Sequence, residues 1–325
     1  MSSPADKLLN NEYMLRLNRT IDYIQKHYSE KLNLTKLAAI ACFSKFHFHR
    51  LFRAMVGETL NDFVQRIRLE KSVLQLTTHQ NKSITEIALD CGFSSSQNFA
   101  KIFKTHYGLT PSMIRSELNW DDWKIKIRRL KGKNKDNLQP VEAYLYDLYC
   151  NKRQLPIDKI LDRPSLSRVK VVEKPSFRVA YVRSIGPYEK KTIEPAFKQL
   201  FQWAKPRGLI NEEMPVLSSF WNYPDITPED KLHCDACIAV PESVKADRWV
   251  NVQILPGGKF AVYRCEIEVE GNNDAWMSLF LNWLISSDYQ PDDRPFYEIY
   301  YNDPETHPLK HQILDLCLPI KPLYE

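Results

Sequence analysis

Two sets of side chains in this sequence have the types and spacing to do chemistry. The first is Ser96, Gln97, Asn98, Lys101 and Lys104. Around them Phe99, Ile102, Phe103 and Tyr107 recur at steps of three and four, which predicts a helix with one apolar face. The five polar residues fall on its other face. Hydroxyls, amides and ammonium groups so arranged bond base edges and phosphates. The second set surrounds Glu298. Strand alternation over 296–301 puts Phe296, Glu298 and Tyr300 on one side and Tyr297, Ile299 and Tyr301 on the other. A carboxylate among aromatic rings on a half-buried strand is costly unless it is paired. The residues alone leave two readings open. One is a pocket that offers a counter-ion and ring faces to a flat cation. The other is an edge or surface glutamate, or one bonded to a tyrosine hydroxyl.

The remaining chemistry-bearing residues form no such group. The chain shows no nucleophile–base pair, no metal cluster and no phosphate loop, so no cofactor and no metal are expected. Cys234 and Cys237 are the one close cysteine pair, and no second pair or nearby histidine completes a zinc site. They are expected to be two core thiols.

The polar helix needs elements to aim it. Ser83 followed by Glu86 predicts a capping box that opens a short helix. Gly92 breaks that helix, and Ser94, Ser95 and Ser96 cap the next. Gly108 ends it, and Thr110 with Pro111 starts another. The product is a helix-turn-helix. The same pattern occurs about 50 residues earlier: Leu37 and Ala38 answer Ile87 and Ala88, Phe43 answers Phe93, Phe48 answers Phe99, Arg50 answers Lys101, Phe52 answers Phe103, Gly57 answers Gly108 and Thr59 answers Thr110. A single short helix pair also forms in plain bundles. Two at one period, each with a basic residue at the same exposed position, argue for a repeated reading unit.

Over roughly residues 12–118 this tandem resembles the DNA-binding domain of the AraC/XylS family of bacterial transcription regulators. The most specific stretch begins at Gly92-Phe-Ser-Ser-Ser-Gln-Asn and runs to Pro111-Ser-Met-Ile-Arg115; Ser44-Lys-Phe-His-Phe-His-Arg50 in the first unit is also typical. The resemblance implies that Phe46, His49 and Arg50 in one helix, and Ser96, Gln97 and Lys101 in the other, face bases. Arg53 and Lys104 fall one step on, towards phosphates. Phe46 stands where the family often has tryptophan.

Charge agrees with this division. Residues 1–135 carry 23 Lys/Arg against 12 Asp/Glu, a balance of +11, and residues 168–325 carry 18 against 23, a balance of −5. A basic half is the electrostatic footprint of a phosphate-binding face. The 325 residues allow one large or two medium domains, and 26% charged content is that of a globular chain. No apolar run approaches the length of a membrane span, the N-terminus lacks a signal layout, and seven scattered cysteines argue for a reducing compartment. A cytoplasmic location is expected.

Residues 12–28 predict an amphipathic helix with Met14, Leu17, Ile21, Ile24 and Tyr28 on its stripe. Residues 60–77 predict a long helix that joins the two reading units. Residues 119–135 are a basic junction with two tryptophans, and 136–167 predict a linker with a short helix near 141–149. From Arg168 the period changes from 3.6 to 2. Strands are expected at 169–172 and 177–185, a helix at 192–205, and strands at 216–223 and 234–240. The order then returns about 80 residues on: strands at 250–255 and 259–266, a helix at 274–285, and strands at 296–302 and 312–318. This predicts a duplicated βαββ unit, one antiparallel sheet with both helices on one face and a groove along the pseudo-twofold axis.

Residues 168–325 resemble the GyrI-like small-molecule-binding domain. The marks are Ile185-Gly-Pro-Tyr-Glu189, the turn from Pro256-Gly-Gly to Tyr263, and Arg294-Pro-Phe-Tyr-Glu-Ile-Tyr300. The family usually shows Gly and an Asp pair in the third strand, where this chain has Ser-Ser-Phe-Trp-Asn-Tyr, so the pocket wall is expected to differ there. The resemblance implies that Glu298 sits in a ligand pocket. Trp221, Tyr188 and Phe296 are candidate further walls, each otherwise an ordinary core or surface aromatic, and Tyr300 shares the face of Glu298.

The fold class expected is therefore an N-terminal all-α tandem helix-turn-helix domain (1–118), a junction (119–167) and a C-terminal α+β domain (168–325). The expected partners are double-stranded DNA, read in two major grooves about one turn apart, and a small amphipathic cation as effector. The effector domain is expected to bias DNA binding or contact with RNA polymerase. With both reading helices on one chain and no heptad seam, a monomer is expected. The protein is read as a regulator and not an enzyme; the alternative is hydrolysis of a reactive ligand, with Glu298 activating water.

Overall fold

The computed structural model describes residues 4–79, 81–117, 168–211, 214–224, 226–284 and 287–322. The basic junction and the helix expected near 141–149 lie outside them. The chain divides into two compact units, with the stretch 243–252 assigned to the first, so the sheet unit is not one uninterrupted run of sequence.

Residues 4–117 of the first unit form only helices: α1 Pro4–Lys26, α2 Leu34–Ile40, α3 Lys45–Val56, α4 Leu60–Thr78, α5 Ile84–Asp90, α6 Ser96–Tyr107 and α7 Pro111–Glu117. Local sequence fixes nearly every boundary. Ser44, Thr59 and Ser95 each accept the backbone N–H three residues on, and Ser83 with Glu86 closes the capping box. Each such cap is worth about 1 kcal/mol. Gly57 and Gly108 end α3 and α6 at φ 80° and 74°, the left-handed turn that glycine adopts without strain.

Two cores result, one per helix-turn-helix. Leu17, Ile21, Ile24, Leu37, Phe48, Phe52, Phe63 and Ile67 are buried in the first. Leu69, Leu76, Ile87, Phe93, Phe99, Phe103 and Ile114 are buried in the second. Helix α4 serves both, with Phe63 and Ile67 at one end and Leu69 and Leu76 at the other. Between them Arg66 is buried against Glu58 and Glu70, at 2.7 and 2.9 Å. Two carboxylates on one guanidinium satisfy a charge that burial alone would exclude.

The second unit is one antiparallel sheet. Its strands are β1 Val169–Lys174, β2 Phe177–Ile185, β3 Val216–Phe220, β4 His233–Ala239, β5 Asn251–Leu255, β6 Gly258–Glu268, β7 Tyr289–Pro291, β8 Phe296–Tyr300 and β9 His311–Pro322. The order is β1-β6-β9-β8-β3-β4-β2-β5, with β7 on the end of β9. Read from either end the order is the same repeat, and the pseudo-twofold axis passes between β3 and β8. The duplication is as expected, but each repeat also lends its leading strand to the other. β1 pairs with β6 and β5 with β2. Strand β7 was not expected from the sequence.

Helix α8, Lys190–Ala204, and helix α9, Asn272–Ser278, lie on one face of the sheet: Phe197 of α8 meets Tyr300, and Trp276 of α9 meets Phe296, which share a face of β8. A π-helical turn, Leu279–Trp283, continues α9 where a longer α-helix was expected. None of the six described cysteines is in a disulfide. Cys234 and Cys237 are both buried but sit on opposite faces of β4, in different clusters, so they share no site.

Candidate functional sites

In the first unit the buried faces of α3 and α6 turn their remaining faces outward. Phe48 and Phe52 are fully buried in one, Phe99 and Phe103 in the other. Phe46, His49, Arg50 and Arg53 are exposed on α3, and Gln97, Lys101 and Lys104 on α6; Ser96 is half-buried at the start of α6. Phe46, 75% exposed, has no core to fill; the Arg50 guanidinium lies 5.8 Å from its ring centroid. Arg50 and Lys101 occupy equivalent positions, as do Arg53 and Lys104, which also stand in the last turns, where the helix dipole favours cations. The structure thus brings the eight residues onto two equivalent helices with exposed polar faces.

In the second unit Glu298 is 2% exposed. Trp276 Nε1 donates to its Oε1 at 2.7 Å, and Tyr300 Oη and Asn272 Nδ2 donate to Oε2 at 2.6 and 3.2 Å. Ser218 Oγ lies 2.9 Å from Tyr300 Oη, and Gln312 Nε2 donates to Asn272 Oδ1. All the partners of Glu298 are neutral. Burial pushes the Glu298 carboxyl above its ordinary range, and the bonds from Tyr300 and Trp276 pull against that rise. Burial and the neighbouring Glu298 push the Tyr300 hydroxyl well up, which keeps it a donor. A carboxyl so placed can accept an organic cation or exchange a proton with a bound molecule.

Aromatic rings enclose this carboxyl. Phe296 stacks on Phe220 at 5.3 Å and meets Trp276 edge-on at 5.1 Å. Tyr188 meets Phe220 at 4.8 Å, and its hydroxyl donates to the backbone, lying 3.0 Å from both the Asn222 and His233 carbonyls. So Tyr188, Phe296 and Tyr300 share the Glu298 side of the sheet. Trp276, Asn272, Ser218 and Phe220 belong there too and were not singled out from sequence. Trp276 gave one signal: a buried indole N–H needs an acceptor.

Trp221 corrects the sequence expectation. It follows Phe220 by one residue, so alternation sends it to the other face. There it packs against the cluster of Tyr181, Leu217 and Cys237, and Nε1 donates to Asp235 Oδ2 at 2.8 Å. Asp235 also takes both arms of Arg183 at 2.7 and 2.8 Å and the Gln253 amide at 2.8 Å. Trp221 is therefore part of a buried ionic cluster and not a wall beside Glu298.

No helix among the described residues is long and apolar enough to cross a membrane. Residues 37–117 match the family model of a helix-turn-helix domain, and residues 167–321 that of the GyrI-like small molecule binding domain. A DNA gyrase inhibitor of Escherichia fergusonii is 29% identical over 128 residues, 38% of this chain and 81% of that protein. A probable transcriptional regulator, LumQ, of Photobacterium leiognathi is 31% identical over 107 residues. That alignment covers 32% of this chain and 43%, less than half, of LumQ. The solved structure of a transcriptional regulator with an AraC-type DNA-binding domain from Chromobacterium violaceum is 26% identical, with a TM-score of 0.30 over 32% of this chain and 91% of that one. The chain joins a helix-turn-helix domain, residues 37–117, to a GyrI-like small molecule binding domain, residues 167–321.

Proposed function

We propose that this protein is a DNA-binding transcription regulator whose sheet domain takes a small organic cation as effector. One observation carries the reading: α3 and α6 present exposed base- and phosphate-bonding side chains at equivalent positions, Arg50 with Lys101 and Arg53 with Lys104. Two reading helices on one chain suit two successive major grooves, about 34 Å apart, without a second copy. Phe46 supplies an apolar contact of the kind thymine methyl groups accept. The effector reading rests on Glu298, a buried carboxyl among rings whose bonding partners are all neutral. A flat cation would replace those donors with a charge and stack on Trp276 or Phe296.

The test is binding of the purified protein to a genomic fragment pool across a salt series, with and without a panel of amphipathic organic cations. Enrichment of a sequence with two half-sites about one turn apart supports the regulator reading. A shift in that enrichment with one of the cations supports the effector role. Binding that is only non-specific and steeply salt-dependent overturns it.

A second reading has one observation in its favour. A glutamate whose pKa is raised by burial, bonded to Tyr300, suits general acid–base work on a reactive ligand. Turnover of a bound electrophile that Glu298→Gln abolishes would favour it over simple binding.

A further inference from the structure

The two helix-turn-helix halves meet at a joint that the shared helix α4 does not complete by itself. On one side of α4 a cleft of about 540 Å³ separates them, lined among others by Leu34, Leu60, Val64, Leu89 and Phe93. In the turn beside this cleft Tyr28 packs against both cores, and a polar wedge accompanies it. Arg68 of α4 donates from Nε to the Tyr28 carbonyl at 2.7 Å and from Nη2 to the Glu30 carbonyl at 2.9 Å. Those carbonyls belong to the turn between α1 and α2, in the first half. On its other side the guanidinium lies against Gly92, in the α5–α6 turn of the second half: a Cβ on Gly92 would stand 3.0 Å from Arg68 Nε and 2.7 Å from the Ser29 carbonyl oxygen.

The first half supplies the control. Cys42 occupies the turn position equivalent to Gly92 and has φ 56°, against 81° at Gly92. The left-handed turn thus accepts a side chain in this fold. What excludes one at Gly92 is the close approach of the 28–30 turn and Arg68.

We infer that Arg68, held between the 28–30 turn and Gly92, is the positioning residue that fixes the spacing of the two reading helices, and so the spacing of the two half-sites the protein accepts. The inference rests on the DNA-reading function proposed above. A planar fork on two carbonyls sets both a distance and an angle, which a single ammonium cannot do. Each inserted base pair moves the second half-site about 3.4 Å along the DNA axis, so a rigid joint discriminates between spacings and a loose one does not.

The experiment uses the full chain and three duplexes built on the sequence it selects from the fragment pool: the selected spacing, the same with one base pair inserted, and a single half-site. Wild type should lose about 5- to 100-fold in affinity on insertion, the cost of roughly one mismatched pair. Arg68→Met keeps the apolar stem and removes both donors. It should lower that discrimination about threefold or more, the net worth of one hydrogen bond, and leave the single half-site affinity unchanged. Gly92→Ala, which forces the wedge apart, should weaken the selected spacing relative to the inserted one, again with the half-site unchanged. Circular dichroism confirms that each variant is folded. A purely structural role would lower all three affinities together and would overturn the inference, as would wild-type discrimination in both folded variants. If wild type selects no sequence at all, the DNA reading fails first and the inference goes with it.

Discussion

Ser218 of β3 and Glu298 of β8 are direct cross-strand neighbours, and they occupy the same position in the two repeats. The pseudo-twofold axis runs between them. One repeat has kept a carboxylate there and the other a hydroxyl, so the sheet carries a single charged site on a symmetric frame. The same asymmetry holds around it: the indole donor Trp276 answers Phe197, in the matching runs Ala196-Phe-Lys-Gln-Leu-Phe201 and Ala275-Trp-Met-Ser-Leu-Phe280, and Tyr300 answers Phe220. The donors to Glu298 therefore come from the second repeat, and the first contributes Ser218 and rings.

The protonation of Glu298 should be visible in stability. Burial raises its folded-state pKa above the ordinary value of 4.5. A raised carboxyl contributes stability that is complete below the unfolded pKa and is lost as pH rises through the folded one. Glu298→Gln cannot ionise, so its stability relative to wild type should improve as pH climbs from about 4.5 upward. Thermal melting of both proteins from acid to neutral pH checks this; a difference that stays constant across that range would refute it. For the same reason, an organic cation should bind wild type more weakly as pH falls through the raised value.

The two repeats also carry matched ionic clusters on the face opposite Glu298. Arg183, Asp235 and Trp221 in one answer Arg264, Asp315 and Tyr301 in the other. Their surroundings differ. The side chains of Arg183 and Asp235 are 0% exposed, whereas Arg264 is 53% exposed over the Tyr301 ring. Asp235→Asn removes the counter-charge of a buried guanidinium and should cost about 3–5 kcal/mol. Asp315→Asn leaves a cation that water can solvate and should cost about 1 kcal/mol or less. Denaturant unfolding of the two variants gives the comparison, and equal losses would contradict it.

Much of this architecture was legible because local signals and the repeat agreed. The capping serines, Gly57 and Gly108 marked the helix ends, and Phe48, Phe52, Phe99 and Phe103 marked their buried faces. Alternation alone put Phe296, Glu298 and Tyr300 on one side; of the alternatives weighed for Glu298, the tyrosine bond is present and an edge or surface position is not, since the carboxyl is buried on a strand paired on both sides. Trp221 failed because which residues of β3 share the face of Glu298 depends on the β3–β8 register, Ser218 opposite Glu298, a long-range pairing that propensity does not report. The exchange of β1 and β5 between repeats was also hidden, since strand pairing is a long-range choice that no local pattern encodes. Asn272 and Ser218 were missed because a small polar residue announces nothing until the partner it bonds is known.

On the proposed DNA reading, Arg50 contacts bases while Arg53 and Lys104 contact phosphates, a division that salt can test. Arg50→Ala should weaken binding to the selected duplex by about 1–3 kcal/mol and relax preference at one position. Arg53→Ala and Lys104→Ala should weaken selected and random duplexes alike, and each should lower the slope of log affinity against log salt by about one. Titrations at several salt concentrations distinguish the two behaviours. Equal weakening of both duplexes by Arg50→Ala would reassign it to the backbone.

Cys42 gives the last prediction. It is an exposed, non-glycine residue held at φ 56° in the turn between α2 and α3. A left-handed conformation costs an L-residue about 1–2 kcal/mol, and glycine there would instead add about 0.5–1 kcal/mol of chain entropy to be lost on folding. The difference favours Cys42→Gly by roughly 0.5–1 kcal/mol. Denaturant unfolding should show the midpoint rise with an unchanged slope, since the folded surface hardly alters. DNA affinity should stay as it was, because the turn exposes the thiol without using it to hold α3. A destabilised Cys42→Gly would mean that the side chain makes a contact that offsets its backbone strain.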